Sequence, residues 1–197
     1  MMSAADPGVV PFGGSKSAYG TNPISIAVPT KTDPLLLDMS VAGLTWGDLV
    51  SADIEGKQLP EGYAYDETGK PTTDPKKAMD GSVTTFDKSF KGSGLALMIQ
   101  ILAGPLVGSI YNLDYNQCQY GSLIIVLNPK KFGGKEVFIE KVQDMISQVK
   151  SVDKAEGFDE IAMPGELGYR KYQMNMQSEE IEVADELIKK MRGFVSE

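Results

Sequence analysis

The stretch that most limits the fold runs from Lys91 to Leu106. After Lys91-Gly92-Ser93-Gly94, apolar residues recur at Leu95, Met98, Ile99, Leu102 and Leu106, which is helical spacing, and more apolar residues lie between them. A helix of this kind is expected to be buried nearly all round, so the rest of the chain must supply layers to cover it. Ile24-Ser25-Ile26-Ala27-Val28 alternates, is β-branched and reads as a strand stopped by Pro29. Leu35-Leu36-Leu37 reads as a fully buried strand ending at Asp38, and Gly121 to Asn128, containing Leu123-Ile124-Ile125-Val126-Leu127, as a central strand. Phe138, Val142, Met145 and Val149 predict a one-faced helix with Lys141, Asp144 and Gln148 outside. Ala184 to Met191 predicts another, with acids early and Lys189, Lys190 and Arg192 late, the order the helix dipole favours. Asp48 to Pro75 is polar and turn-rich and reads as a long loop. Strands interleaved with helices give an α/β domain with a largely covered sheet. A chain of 197 residues buries enough surface to need no metal or disulfide staple, and the expectation is one domain over 1–197.

Charge and composition remove several function classes. Nineteen basic residues against 27 acidic ones leave a net charge of −8, which suits neither nucleic acid nor an anionic membrane surface. The most apolar stretch, Leu95 to Ile110, is broken by Gln100, Gly104, Pro105 and Gly108, so no membrane span is expected. Cys118 is the single cysteine and reads as a buried small hydrophobe. With no internal disulfide available and no signal-peptide pattern at the N-terminus, the expected location is the cytoplasm. The chain contains no histidine. The commonest general acid/base and the commonest metal ligand are therefore missing, no metal site is expected, and any proton chemistry here falls to Asp, Glu, Lys or Tyr.

Few positions suggest chemistry on local grounds. At Lys91-Gly92-Ser93-Gly94 a glycine-rich turn opening a helix would leave backbone N–H groups bare at the positive end of the dipole, and Lys91 would add a full charge suited to a phosphate. The same glycines equally suit a tight turn where the helix packs on its neighbour. Asp38-Met39-Ser40 lies just past a strand, where α/β domains place groups that contact ligands, and a carboxylate there can accept from ribose hydroxyls or cap a following helix. Gly20-Thr21-Asn22-Pro23 and Met163-Pro164-Gly165-Glu166 are ordinary turns when taken singly.

In order along the chain these fragments are more specific. Pro11-Phe12-Gly13-Gly14, Gly20-Thr21-Asn22-Pro23, Leu37-Asp38-Met39-Ser40 and Pro60-Glu61-Gly62-Tyr63-Ala64-Tyr65-Asp66 are followed by Gly69-Lys70-Pro71-Thr72-Thr73-Asp74-Pro75, Lys91-Gly92-Ser93-Gly94-Leu95-Ala96 and Pro164-Gly165-Glu166. From about Pro7 to the C-terminus this order resembles the type-2 malate/L-lactate dehydrogenase family, which includes ureidoglycolate, sulfolactate and diketogulonate oxidoreductases and cyclic-imine reductases. The resemblance implies a non-Rossmann NAD(P)-binding α/β fold, a mixed sheet flanked by helices with C-terminal helices over about 166–194. It implies hydride transfer between NAD or NADP and a 2-hydroxy or 2-keto acid, usually in a homodimer. By the same resemblance Asp38, Met39, Ser40, Lys91, Gly92, Gly165 and Glu166 hold the cofactor, and Thr21 and Asn22 lie near nicotinamide and substrate. Asp48 matches an acid that, in the imine-reductase branch, orients the catalytic histidine. The family's proton-donating histidine, in a Ser-His-Gly motif, and its substrate-binding arginine belong to an N-terminal segment that has no counterpart here. The expectation is a cofactor-binding portion, inactive or nearly so alone, with three origins open: the product of a split or truncated gene whose partner chain holds the acid, a piece of a larger protein, or a degenerate remnant. Apolar surface is expected to be exposed where the N-terminal segment would pack. The alternative is a catalytically dead interaction or oligomerisation module that keeps the fold.

Overall fold

The computed structural model describes residues 1–111, 113, 120–178 and 183–195; Cys118 lies outside them. The elements are β1 (Met2–Ala4), β2 (Ile24–Val28), β3 (Leu35–Met39), α1 (Trp46–Glu55), β4 (Ala64–Tyr65), α2 (Pro75–Met79), β5 (Ser82–Val83), α3 (Phe90–Ala103), β6 (Gly121–Leu123), α4 (Lys135–Lys150), α5 (Glu166–Ser178) and α6 (Asp185–Val195). They group into two compact units, the first 1–24, 39–124 and 182–197, the second 25–38 and 125–181. The α/β class and the sheet flanked by helices are as expected.

In the first unit β1 pairs antiparallel with β6 and, through Met2, with Ile24 at the start of β2. A second, two-stranded sheet joins β4 and β5. Val9, Ala42, Leu49, Leu59, Ala78 and Val83 form one core cluster, and Val41, Ala96 and Ile99 form another with Met2, Ile24 and Leu95 packed on it. The helix over 90–103 is confirmed, but only one face of it is buried, through Ala96, Ile99, Gln100 and Ala103, while Leu97, Met98 and Ile101 are exposed. By length and composition alone Phe90–Val107 would suffice to cross a bilayer. It nevertheless breaks at Gly104-Pro105 and buries hydrogen-bonded Gln100, as a core helix does.

A buried amide network ties α3 to the N-terminal turns. Asn22, fully buried at φ 38°, donates from Nδ2 to the Ala96 carbonyl at 3.0 Å and to Gln100 Oε1 at 2.8 Å. Its Oδ1 accepts from the Ala5 N–H at 3.4 Å, and Gln100 Oε1 also accepts from the Gly20 N–H. Gly20 cannot carry a side chain, since a Cβ would lie 2.5 Å from the Ala5 carbonyl oxygen.

Three further expectations change. The supposed loop after Asp48 begins as helix α1, started by a capping box in which Thr45 and Asp48 exchange hydrogen bonds. The strand at Gly121 ends at Leu123, and Ile124 to Leu127 continue unpaired and 59–86% exposed. Leu36 and Leu37 do form strand β3 but are exposed rather than covered. In the second unit no described residue is buried, although Ile125, Val126, Phe132, Phe158 and Leu167 are large and apolar. The apolar runs were legible; the layer that would cover them is not present among the described residues.

Two outcomes follow from these contacts. Replacing Asn22 by Ala strands the Ala5 N–H and Gln100, and should cost about 2–4 kcal/mol, read as a lower urea midpoint with unchanged slope. The exposed apolar surface should drive self-association at micromolar concentration despite the acidic charge. A compact monomer by sizing and light scattering would contradict that.

Candidate functional site

The second unit encloses a cavity of about 990 Å³ between the β2–β3 connection, α4 and the start of α5. Leu35, Leu36 and Ile146 supply apolar wall, and Thr30, Asp33 and Asp38 supply polar groups. The Met163–Glu166 turn closes one side. Its Glu166 carboxylate accepts from the Met163 N–H at 2.9 Å while the Glu166 N–H donates to the Met163 carbonyl at 3.1 Å. Gly165 sits at φ 95°, and a Cβ there would press on Leu36, whose N–H donates to the Pro164 carbonyl at 3.0 Å. The turn is thus pinned to β3, which holds Asp38 and Gly165 around one space.

Glu166 is also the hub of an ion-pair cluster on the cavity wall. It accepts a hydrogen bond from Lys150 of α4 and lies 3.8 Å from Arg170, one turn along α5. Arg170 binds Glu160 through both terminal guanidinium nitrogens. The Lys150 ammonium, then the Met163 N–H, hold the Glu166 carboxyl below the ordinary glutamate range, and Arg170 does the same for Glu160.

Of the residues singled out in the sequence, Asp38, Gly165 and Glu166 are brought together in this cavity. The others lie in the first unit. Ser40 donates to the Thr21 carbonyl at 3.0 Å and receives the Ala42 N–H, so these two turns are joined, and Met39 ends β3. Asn22 spends its side chain on α3. The Asp48 carboxylate accepts from the Thr45 N–H and hydroxyl, both at 2.7 Å.

The start of α3 differs from the sequence expectation. Gly92, Ser93 and Gly94 are already helical, and their amides are not a bare turn. Ser89 caps the helix by accepting the Lys91 N–H at 3.1 Å, and Asp87 accepts the Gly92 N–H at 3.0 Å and the Ser89 N–H at 3.1 Å. Gly92 is needed because a Cβ would fall 2.2 Å from Asp87 Oδ1. What approaches the helix closely is the chain's own carboxylate. Its hydrogen bond from the Ser89 hydroxyl leads the interactions that lower the Asp87 pKa to about 2. The Lys91 side chain is exposed and makes no ion pair among the described residues. Sequence reasoning missed Asp87 and Ser89, although a serine just before an apolar helix is an N-cap signal. It also missed Lys150 and Arg170, for which the Glu166–Arg170 spacing of four was the available clue.

Comparison with known proteins gives a consistent answer. The family model described as malate/L-lactate dehydrogenase matches residues 1–192. Malate/(S)-sulfolactate dehydrogenase of Methanothermus fervidus is 35% identical over 206 residues, covering 100% of this chain and 58% of that protein. The NAD(+) ureidoglycolate dehydrogenase of Escherichia coli K12 is 33% identical, covering 94% and 55%. The solved sulfolactate dehydrogenase of Methanocaldococcus jannaschii superposes with a TM-score of 0.79 at 36% identity, covering 94% and 55%. The chain thus spans a little over half the length of these relatives.

The cap on α3 has a pH signature. Because the folded pKa of Asp87 is depressed, its stabilisation is complete above the unfolded value near 4 and is lost as pH falls towards about 2. Asp87→Asn should therefore be less stable than the parent chain at pH 7. In urea titrations that gap should shrink between pH 4 and pH 2; a gap independent of pH would contradict the assignment.

Proposed function

The chain belongs to the malate/L-lactate dehydrogenase family, and from that premise we propose that it is the cofactor-binding portion of an NAD(P)-dependent oxidoreductase acting on a small 2-hydroxy or 2-keto acid. The observation that carries the reading is the cavity in which Asp38, Gly165 and Glu166 meet. Its volume is at the upper end of the range for small-molecule sites, about 300–1,000 Å³, and its mixture of aliphatic wall with a few polar groups suits a nucleoside. Asp38, at the carboxyl end of β3, is placed to accept from ribose hydroxyls. Gly168 leaves open space at the first turn of α5, where backbone can approach a ligand. In the first unit the Lys91 ammonium, rather than capped amides, is the group proposed for a phosphate, and the joined Thr21 and Ser40 turns are proposed to lie near the nicotinamide and substrate.

Bound nicotinamide would supply or accept the hydride. The carbonyl oxygen also needs a proton, and no histidine of this chain can give it. Asp48, expected to orient such a histidine, has its carboxylate turned to Thr45. We therefore place the acid on polypeptide that packs on the exposed apolar surface, in a partner chain or further sequence. That surface also favours a second reading, an interaction module that keeps the fold without the chemistry.

Fluorescence titration separates the readings. NADH or NADPH should bind the purified chain, and Lys91→Ala should weaken binding by roughly one to two decades, the worth of one charge-assisted phosphate contact of about 1.5–3 kcal/mol. No binding of either at millimolar cofactor ends the cofactor reading, and binding indifferent to Lys91→Ala removes that residue from the site. The chain alone should not turn over malate, lactate or ureidoglycolate.

A further inference from the structure

Family membership leaves open which nicotinamide dinucleotide is used, and the cavity's charges bear on the choice. We propose that the cavity selects a dinucleotide whose adenosine ribose carries free hydroxyls, NAD(H), and rejects the 2′-phosphorylated form, with Asp38 and the Glu160–Arg170 pair as its specificity determinants. The inference rests on the cofactor reading above.

The wall carries three carboxylates, Asp33, Asp38 and Glu166, against two cations, Lys150 and Arg170. Both cations are already paired within the chain, so an added phosphate must compete for them. Lys150 is bonded to Glu166, and the guanidinium of Arg170 is held in a two-point bond by Glu160 with Glu166 at 3.8 Å. A forked guanidinium–carboxylate bond is the geometry that a 2′-phosphate would otherwise occupy, so Glu160 already fills the phosphate's place on Arg170. Both acids stay ionised at neutral pH, since these cations hold their carboxyls below the usual range.

Asp38 and Asp33, by contrast, make no ion pair among the described residues. A carboxylate facing a ribose accepts hydrogen bonds from its two hydroxyls. The same carboxylate facing a dianionic phosphate meets like charge at a separation well inside the screening length. Taking up the phosphorylated cofactor would require Arg170 to leave Glu160 and would still leave Asp38 opposed. Sequence alone could not show this, because α4, α5 and the β2–β3 connection meet only in the folded unit.

The test titrates the full chain with NADH and NADPH in parallel at low and physiological salt, by cofactor fluorescence. NADH should bind at least tenfold more tightly, and the ratio should narrow as salt rises. NADPH binding as tightly as NADH, or more so, overturns the selectivity while leaving the cofactor reading intact; binding of neither ends the cofactor reading and the selectivity with it. Glu160→Gln, which frees Arg170, should tighten NADPH binding about tenfold with little change for NADH. Asp38→Asn should narrow the ratio from both sides. If both variants keep the parent circular dichroism and the parent ratio, these residues do not set the choice and the proposal fails.

Discussion

The first unit depends on one buried amide facing another. Asn22 holds a left-handed backbone conformation that costs a non-glycine residue strain, and it is kept there by bonds to Gln100, Ala96 and Ala5. Two of the partners lie on α3 and the third near the chain's start, so a single side chain fixes α3, the start of the chain and the turn before β2. The adjacent Thr21 carbonyl is then held where it receives both the Ser40 hydroxyl and the Val41 N–H. Two turns of ordinary composition acquire a defined relation because a core amide, and not a ligand, positions them. A fully satisfied polar network of this kind specifies one arrangement more sharply than apolar packing does.

How far the sequence disclosed this varies by element. Helices α3, α4 and α6 were legible because their apolar spacing is helical whatever packs on them. Helix α1 was not: Trp46, Leu49, Val50 and Ile54 do keep helical spacing, but the run is short, contains Gly47 and leads into a turn-rich stretch, and its Thr45–Asp48 box was overlooked. The start of α3 shows a subtler failure. Glycine signals that something comes close to the backbone without saying what does. Here the visitor is Asp87, which lies outside the glycine motif, and the inference of open amides failed while the helix itself was right.

In the second unit apolar character and burial part company. Ile125 to Leu127 and Leu36-Leu37 have the composition of covered strands, yet composition reports what a segment would pack against and not whether that layer is present. The relatives are nearly twice as long, and a chain that spans only part of their length shows apolar faces that its own residues do not cover. The cavity residues divide in the same way. Asp38, Gly165 and Glu166 belong to short ordered motifs and could be found by their order. Lys150 and Arg170 belong to no motif, and only the folding of α4 beside α5 brings them to the same wall.

That wall is better understood as an arrangement of charge than as a source of stability. Its pairs are half-exposed, and pairs of that kind contribute about 0–1 kcal/mol each, less in salt. Their effect on a ligand is larger, because a ligand meets the sum of charges left over after pairing. Glu166 serves the fold by capping its own turn through the Met163 N–H, and the same carboxylate then takes Lys150 out of play. Glu160 does so for Arg170. With both cations answered from within the chain, the carboxylates at Asp33 and Asp38 set the sign of the field in the cavity, which suits a neutral diol and not a further anion.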